Sequence, residues 1–471
     1  MNKFSKILVS GLLCAAFAAG AAGCSSDTSN ENQLTIKYLA KDFGQTWMET
    51  LAADFEAETG IDVKLIPDSS FETSFSKRVQ SKSPEDLMYV YTYEWAALAE
   101  DYLEDLTDFA EETKPNGESG KTIEEMIISE NKTFGKKSDR RYLIPVSTSP
   151  TGIIYNATLF EQKGWDKHKY FTEPTMYNFQ DLVEVIIADG EVKPFAYSTA
   201  VTSNFDFVTV PLWAQYAGEQ EIVNFIDFTE KAESFGKQGK AEGLGFYEQF
   251  FVNSSNGSDG KPANYMVASS NKKTQEAVIG GNAAMFVDGA WAERGSSAYI
   301  EAKGVTLKMM PMPLLCKRDS SGRYTNEVIA QKVDGEYQNF TYMSAEDYFC
   351  IPKNAKNKDL AMQFIEFALR EDNLRKMHVN MGVPLSYEYS TDGLSLTPFQ
   401  QSVLDIRNST TGIYLKNTQN PMGLYNKVSL HIKYTDPYAE MRKGKTAAQI
   451  VQEEHDYAVA NWSRWESEIN A

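Results

Sequence analysis

Leu34-Thr35-Ile36-Lys37-Tyr38, then Met48, Leu51, Ala52 and Phe55, then Gly60, then Ile61, Val63 and Leu65: this stretch decides the fold class. The first five residues alternate apolar and polar, the period of a strand with one buried face. The next four recur at the spacing of one helix face, and Gly60 stands where a left-handed C-terminal cap belongs. Alternation resumes at Ile61 and ends at Pro67. Strand, helix and strand in succession predict a parallel sheet covered by helices. Further out, Phe71–Ser81 reads as a second helix. Leu87-Met88-Tyr89-Val90 is a continuous apolar run, the pattern of a strand covered on both faces. The chain therefore opens with an α/β lobe.

Tyr142–Pro145 and Gly152–Tyr155 read as strands, with polar Ser147-Thr148-Ser149-Pro150 between them. A first crossing into a second lobe is expected there. Leu159–Gly164 and Tyr177–Ala188 read as helices, the latter with Phe179, Leu182, Val183 and Ile186 on one face. Asn253–Lys261, rich in Ser, Gly and Asn, reads as a surface loop. Ala284–Val287 is strand-like. Val305–Met310 is another strand and the expected return crossing. Tyr348–Ile351 is a strand, and Ala361, Phe364, Ile365 and Ala368 mark an amphipathic helix. Thr446–Glu468 reads as a helix with Trp462 and Trp465 near its end. No internal repeat is visible.

With 471 residues the chain is too long for one ordinary domain, and 42% hydrophobic residues suffice for real cores. A net charge of −19 argues against nucleic-acid binding and against adsorption to anionic lipid. Four cysteines and four histidines argue against a disulfide scaffold and a His-rich metal site, and no cofactor is expected. Lys3 and Lys6 precede an uncharged, Leu- and Ala-rich run over Ile7–Gly23, the layout of a secretory signal. It ends in Ala21-Ala22-Gly23-Cys24, which resembles a bacterial lipobox. This implies a signal peptide over residues 1–23, acylation of Cys24, and a polar tether over 24–33. Ala21 stands where the lipobox more often has Leu. The alternative is ordinary secretion with cleavage near the same place. Of the remaining cysteines, Cys316 and Cys350, pairing is possible but unforced.

Several segments together resemble the extracellular solute-binding proteins of ABC importers, of the carbohydrate-binding type that includes maltose-binding protein. They are Asp54–Val63; Pro84-Glu85-Asp86-Leu87 with Leu103–Thr107; Tyr142–Pro145 with Gly152-Ile153-Ile154-Tyr155-Asn156; Gly281–Met285 with Gly289-Ala290-Trp291; and Tyr348–Leu369 with Gly382-Val383-Pro384. They occur in the family order. The family usually has Trp after the Pro-x-Thr near Pro174; here Met176-Tyr177 stands there. Glu219–Asn264 and the tail after Pro384 match nothing closely.

The resemblance implies a periplasmic-binding-protein-like α/β fold: two lobes joined by hinge strands, with ligand in the cleft between them. Lobe one would be 34–145 plus 308–377, and lobe two 146–307 plus 378–471. It implies a monomer, tethered by lipid on the extracytoplasmic face of the membrane, that hands a sugar or oligosaccharide to an ABC permease.

Ligands of α/β sheets sit beyond the carboxyl ends of the strands. A sugar needs rings for its C–H faces and carboxylates or amides for its hydroxyls. With 7 Trp, 25 Tyr and 26 Phe, rings are plentiful, though most must be core. The loop after Leu87–Val90 offers Tyr93, Glu94 and Trp95; the loop after Leu34–Leu39 offers Asp42 and Trp47. Asp288 and Trp291 follow Ala284–Val287, and Trp291 matches the Gly-x-Trp position where relatives stack sugar. Asp206 and Trp213 lie where relatives carry second-lobe cleft residues, and Ser147 lies at the expected hinge. The alternatives are core packing for Trp95, Trp213 and Trp291, and helix capping for Asp42 and Asp288.

A surface glycoside-acting enzyme with paired carboxylates is the competing class. No Gly-x-Ser-x-Gly, His-Glu-x-x-His or local Cys/His signature supports one. Within the binding class, a peptide or polyamine ligand is the alternative. Anionic ligands would call for arginines, and the candidate loops contain none.

Overall fold

The computed structural model describes residues 32–41, 43–92, 94–254, 261–344, 347–414 and 430–469. The signal segment, Cys24, Asp42 and Tyr93 lie outside the described residues.

The opening stretch folds as its periodicity dictates. Strand β1 (Gln33–Leu39) points Leu34, Ile36 and Tyr38 inward. Helix α1 (Thr46–Thr59) buries Met48, Leu51, Ala52 and Phe55, and ends at Gly60, whose φ of 71° lets its N–H close on the Glu56 carbonyl. Strand β2 (Asp62–Asp68) pairs parallel with β1, and so does β3 (Leu87–Tyr91). Phe71–Ser81, expected as one helix, divides into a 3-10 turn over Phe71–Thr73 and a short α-helix over Phe75–Val79. Helix α2 (Trp95–Tyr102) follows β3.

The chain then reaches β4 (Ile144–Pro145) and passes into β5 (Ser149–Asn156), which is buried along its whole length. Helix α3 (Met176–Asp189) is capped by the Thr175 side chain, which accepts from the Asn178 N–H. After it come β6 (Lys193–Ser198), α4 (Asp206–Ala217), α5 (Gln238–Tyr247) and β7 (Tyr265–Ala268). Next are β8 (Ala283–Gly289), α6 (Ala292–Lys303), β9 (Leu307–Met309) and β10 (Phe340–Ser344). Strand β11 (Asp347–Cys350), α7 (Lys358–Ala368) and α8 (Glu371–Met381) return to the first lobe. Helix α9 (Pro398–Ser409), β12 (Thr411–Ile413) and α10 (Ala447–Ile469) complete the chain.

Two sheets result. The first has order β2-β1-β3-β11-β4; the second runs β12-β10-β5-β8-β6-β7, with β9 also on β5. The apolar core of the first sheet continues onto Ile154, Ala196, Phe286, Leu307 and Met309 of the second, a second cluster holds Ile153, Tyr155, Phe195 and Val287, and a third gathers Trp213, Phe225, Phe235, Trp462 and Trp465 under α10. This is the expected two-lobed α/β architecture.

The expected return crossing near Val305 is corrected. α6 stops at Gly304, and β9 runs back antiparallel along β5, so residues 307–309 and 340–344 belong to the second sheet. The chain crosses back between Ser344 and Asp347. Residues 384–387, placed with lobe two by the resemblance, line the first: the Ile128 N–H donates to the Ser386 carbonyl, and Tyr387 OH to the Pro145 carbonyl. Cys316 and Cys350 are free thiols in separate cores.

Candidate functional site

Three passages of chain join the two sheets. Among the described residues they are Pro145–Ser149 and the run from Gly382 to Tyr387, leading from α8 to α9, with Ser344 and Asp347 standing at the two ends of the other. They are laced together: Thr148 N–H donates to the Pro384 carbonyl and Ser386 N–H to that of Val146. At their centre lies Asp347, fully enclosed. Its Oδ1 accepts from Ser147 Oγ at 2.6 Å and its Oδ2 from Tyr89 OH at 2.9 Å. Burial pushes this carboxyl above the usual range, and the two hydroxyl donors offset part of that. Asn131 Nδ2 donates to Thr148 Oγ1 at 2.9 Å and to Ser386 Oγ at 2.7 Å. Thr148 and Tyr414 hydroxyls meet at 3.1 Å.

Strand register carries the candidate loops to these passages. In the first sheet Tyr91, the last residue of β3, pairs with Asp347. In the second, Gly289, the last residue of β8, pairs with Thr151, two residues from Ser149, which pairs with Ser344. The carboxyl ends of β3 and β8 therefore face each other across the crossing, where α/β folds place ligands.

On the second-lobe side Trp291 caps the start of α6 and is partly exposed. Its ring lies back over Gly289: a Cβ there would come within 2.2 Å of the indole, so only glycine allows this approach. The Phe207 ring stands 6.1 Å away, edge-on, and Tyr342 is 5.2 Å beyond Phe207. Asp288 is enclosed and does not face a ligand. It accepts from Asn271 Nδ2 at 3.0 Å, Gln275 Nε2 at 2.9 Å and the Gly289 N–H at 2.9 Å, and from the Trp291 side chain. Its role is to hold the indole, and burial pushes its carboxyl up. Asp206 opens α4 next to Phe207 and borders a hollow of about 300 Å³.

On the first-lobe side Glu94 is exposed at the start of α2. Lys41 Nζ meets Tyr91 OH at 3.0 Å and Glu72 at 3.3 Å. The other ring candidates are corrected. Trp95 has no exposed surface and packs edge-on against Phe134 at 6.5 Å. Trp47 packs against Tyr89 at 4.8 Å. Trp213 is sealed under α5, where a Cβ on Gly239 would come within 2.3 Å of it, and its indole N–H donates to Glu221. All three are core residues, because the face each presents is turned beneath a neighbouring element. Ser147 is likewise buried and acts on the hinge through Asp347.

Sequence reasoning missed Tyr89, Asn131, Asp347 and Ser386 at the hinge, and Phe207 and Tyr342 beside Trp291. A carboxylate between Ser344 and the apolar run Tyr348–Ile351 was the one local signal. Among the described residues no helix is long and apolar enough to cross a membrane, and no acidic, Cys or His cluster has a metal-holding arrangement.

The family model of bacterial extracellular solute-binding proteins matches residues 39–374. The chain belongs to this family. Its structural relatives agree on the fold. The GacH receptor of Streptomyces glaucescens, whose structures include complexes with acarbose and an acarbose homolog, superposes with a TM-score of 0.64 at 13% identity, over 92% of this chain and 98% of that one. The solute receptor AcbH, with a preference for β-D-galactopyranose, gives 0.64 at 15% identity, over 91% and 99%. RafE in complex with raffinose gives 0.59 at 16%, over 93% and 100%. No curated protein sequence matches significantly. As an extracellular solute-binding protein, the chain has its two lobes and hinge where such a receptor needs them.

Proposed function

We propose that this solute-binding protein captures a sugar or oligosaccharide in the cleft and delivers it intact to an ABC permease. The observation that carries the reading is the register of β3 and β8, which brings the Glu94 turn and the Trp291–Phe207–Tyr342 rings to opposite sides of one hinge. A partly exposed ring in one lobe and an exposed carboxylate in the other suit the apolar and hydroxyl faces of a neutral sugar. Three relatives, one solved with acarbose, one that prefers β-D-galactopyranose and one solved with raffinose, favour the same class. Ligand contacts are assigned to Trp291, Glu94 and Asp206, with Asp42 and Tyr93 as further candidates at the same strand ends. Closure works by differential affinity: the ligand stabilises the closed arrangement because it touches both lobes only there. No bond is made or broken.

The protein works as a monomer on the extracytoplasmic face, held by acyl groups on Cys24 after removal of residues 1–23. Cys24→Ala is expected to move it from the membrane to the soluble extracytoplasmic fraction.

Thermal unfolding of the mature protein against galactose, raffinose and acarbose tests the ligand class. A true ligand at 100 times its Kd adds about 2.7 kcal/mol of stability. Absence of a shift with all three, or release of reducing sugar during incubation, defeats the reading.

A further inference from the structure

The second lobe contains a buried series of charges that the cleft reading does not use. Lys240 of α5 and Glu454 of α10 are both fully enclosed and meet at 2.6 Å. Glu454 Oε1 stands 3.2 Å from His431 Nδ1, and His431 Nε2 stands 3.2 Å from Asp206 Oδ1. Tyr438 OH donates to the same Oδ1 at 2.5 Å and is itself 3.1 Å from Thr209 Oγ1. With a carboxylate facing each ring nitrogen, the imidazole satisfies both only as the doubly protonated cation. Burial opposes that charge, but Glu454 and Asp206 outweigh it and raise His431 to about 9. Lys240 and His431 in turn hold Glu454 near 2 against its burial.

Asp206 therefore has one oxygen fixed by two donors, while its Oδ2 has no partner among the described residues. It borders the hollow of about 300 Å³, which Thr202, Ser203, Tyr434 and Thr435 also line. The Thr202 hydroxyl makes no hydrogen bond among the described residues and stays open to the hollow, whose wall it helps form. The charges cancel in pairs, Lys240 with Glu454 and His431 with Asp206, so the hollow favours no ion. Its lining holds both a carboxylate acceptor and a hydroxyl, the complement of an uncharged hydroxyl-bearing molecule.

We infer that this hollow is a hydroxyl-binding subsite, with Asp206 Oδ2 accepting and Thr202 Oγ1 donating, and that His431 and Tyr438 are positioning residues that aim Asp206 by pinning its other oxygen. The inference rests on the carbohydrate reading and extends it beyond the rings: Phe207, next in sequence to Asp206, stands 6.1 Å from the Trp291 ring. The groups shown facing His431 among the described residues are Asp206 of α4, Glu454 of α10 and Tyr438 of its own segment, with Lys240 of α5 behind Glu454.

The test measures affinity of the mature protein for whichever of galactose, raffinose and acarbose stabilises it. Asp206→Asn is expected to weaken binding about 10- to 100-fold, the loss of a charge-assisted hydrogen bond. Tyr438→Phe, which removes one donor and little volume, is expected to weaken it several-fold with folding intact. Wild-type affinity should fall as pH rises from 7 through 9, while His431→Gln, weakened already at pH 7, should show a flat profile. Unchanged affinity in Asp206→Asn and Tyr438→Phe, beside a weakened Trp291→Ala, overturns the subsite and leaves the carbohydrate reading standing. A wild-type protein that none of the three sugars stabilises overturns that reading and the subsite with it.

Discussion

Trp95 and Trp291 occupy nearly the same local setting: each follows a buried strand and begins a helix. Yet Trp95 is sealed in the first core while Trp291 remains partly open beside the hinge. Trp95 is the first residue of α2; Trp291 is the cap just before α6. One residue of offset turns a side chain by about 100° around a helix axis. That rotation sends one ring under Phe134 and leaves the other over Gly289. A strand-end tryptophan is thus not in itself a cleft residue; its position relative to the helix cap decides.

The largest expected effect comes from Trp95→Ala, which empties a filled core site and should cost about 3–5 kcal/mol. Chemical denaturation measures it, and sugar affinity of the folded fraction should be unchanged. A variant of full stability but lost affinity would break the contrast. Trp291→Ala should do the reverse. Affinity falls about 10- to 100-fold, equivalent to ~1.4–2.8 kcal/mol, with stability nearly intact, as titration calorimetry and melting would show together. Gly289→Ala removes no ligand side chain but forces the Trp291 ring out of its seat; we expect about tenfold weaker binding, and unchanged binding would mean the ring's seat is irrelevant. The smallest effect belongs to Glu94→Gln. Being exposed, it should alter stability by under ~0.5 kcal/mol, so that any loss of affinity reads directly on ligand contact.

Much of the first lobe was legible because its signals are local. Alternation over Leu34–Tyr38, the helix face from Met48 to Phe55 and the stop at Gly60 need no distant partner to be understood. The return crossing was not legible. Val305–Met310 has a strand's pattern, but whether that strand changes sheets depends on its pairing with β5, some 150 positions earlier in the chain. The same holds at the site. Trp291 could be marked as a candidate, but nothing near Trp95 or Trp213 in sequence reveals Phe134 above one or Gly239 against the other. Asp206 could be marked too, but not its partners His431 and Tyr438, 225 and 232 positions away. Asp42 and Tyr93 lie outside the described residues, so the first-lobe rim rests on Tyr91, Lys41 and Glu94.

The first sheet has a further consequence. Its strand β11 lies between β3 and β4, so those two never touch directly, and Tyr89 meets Asp347 across 258 positions of chain. Closing so long a loop carries a large entropic cost before any contact rewards it. Synthesised from the amino end, the protein completes nearly all of its second sheet's strands before β11, which joins β4 to the rest of its first, exists. The half that begins the molecule is therefore the half that must wait, its apolar edges open, until the chain comes round again.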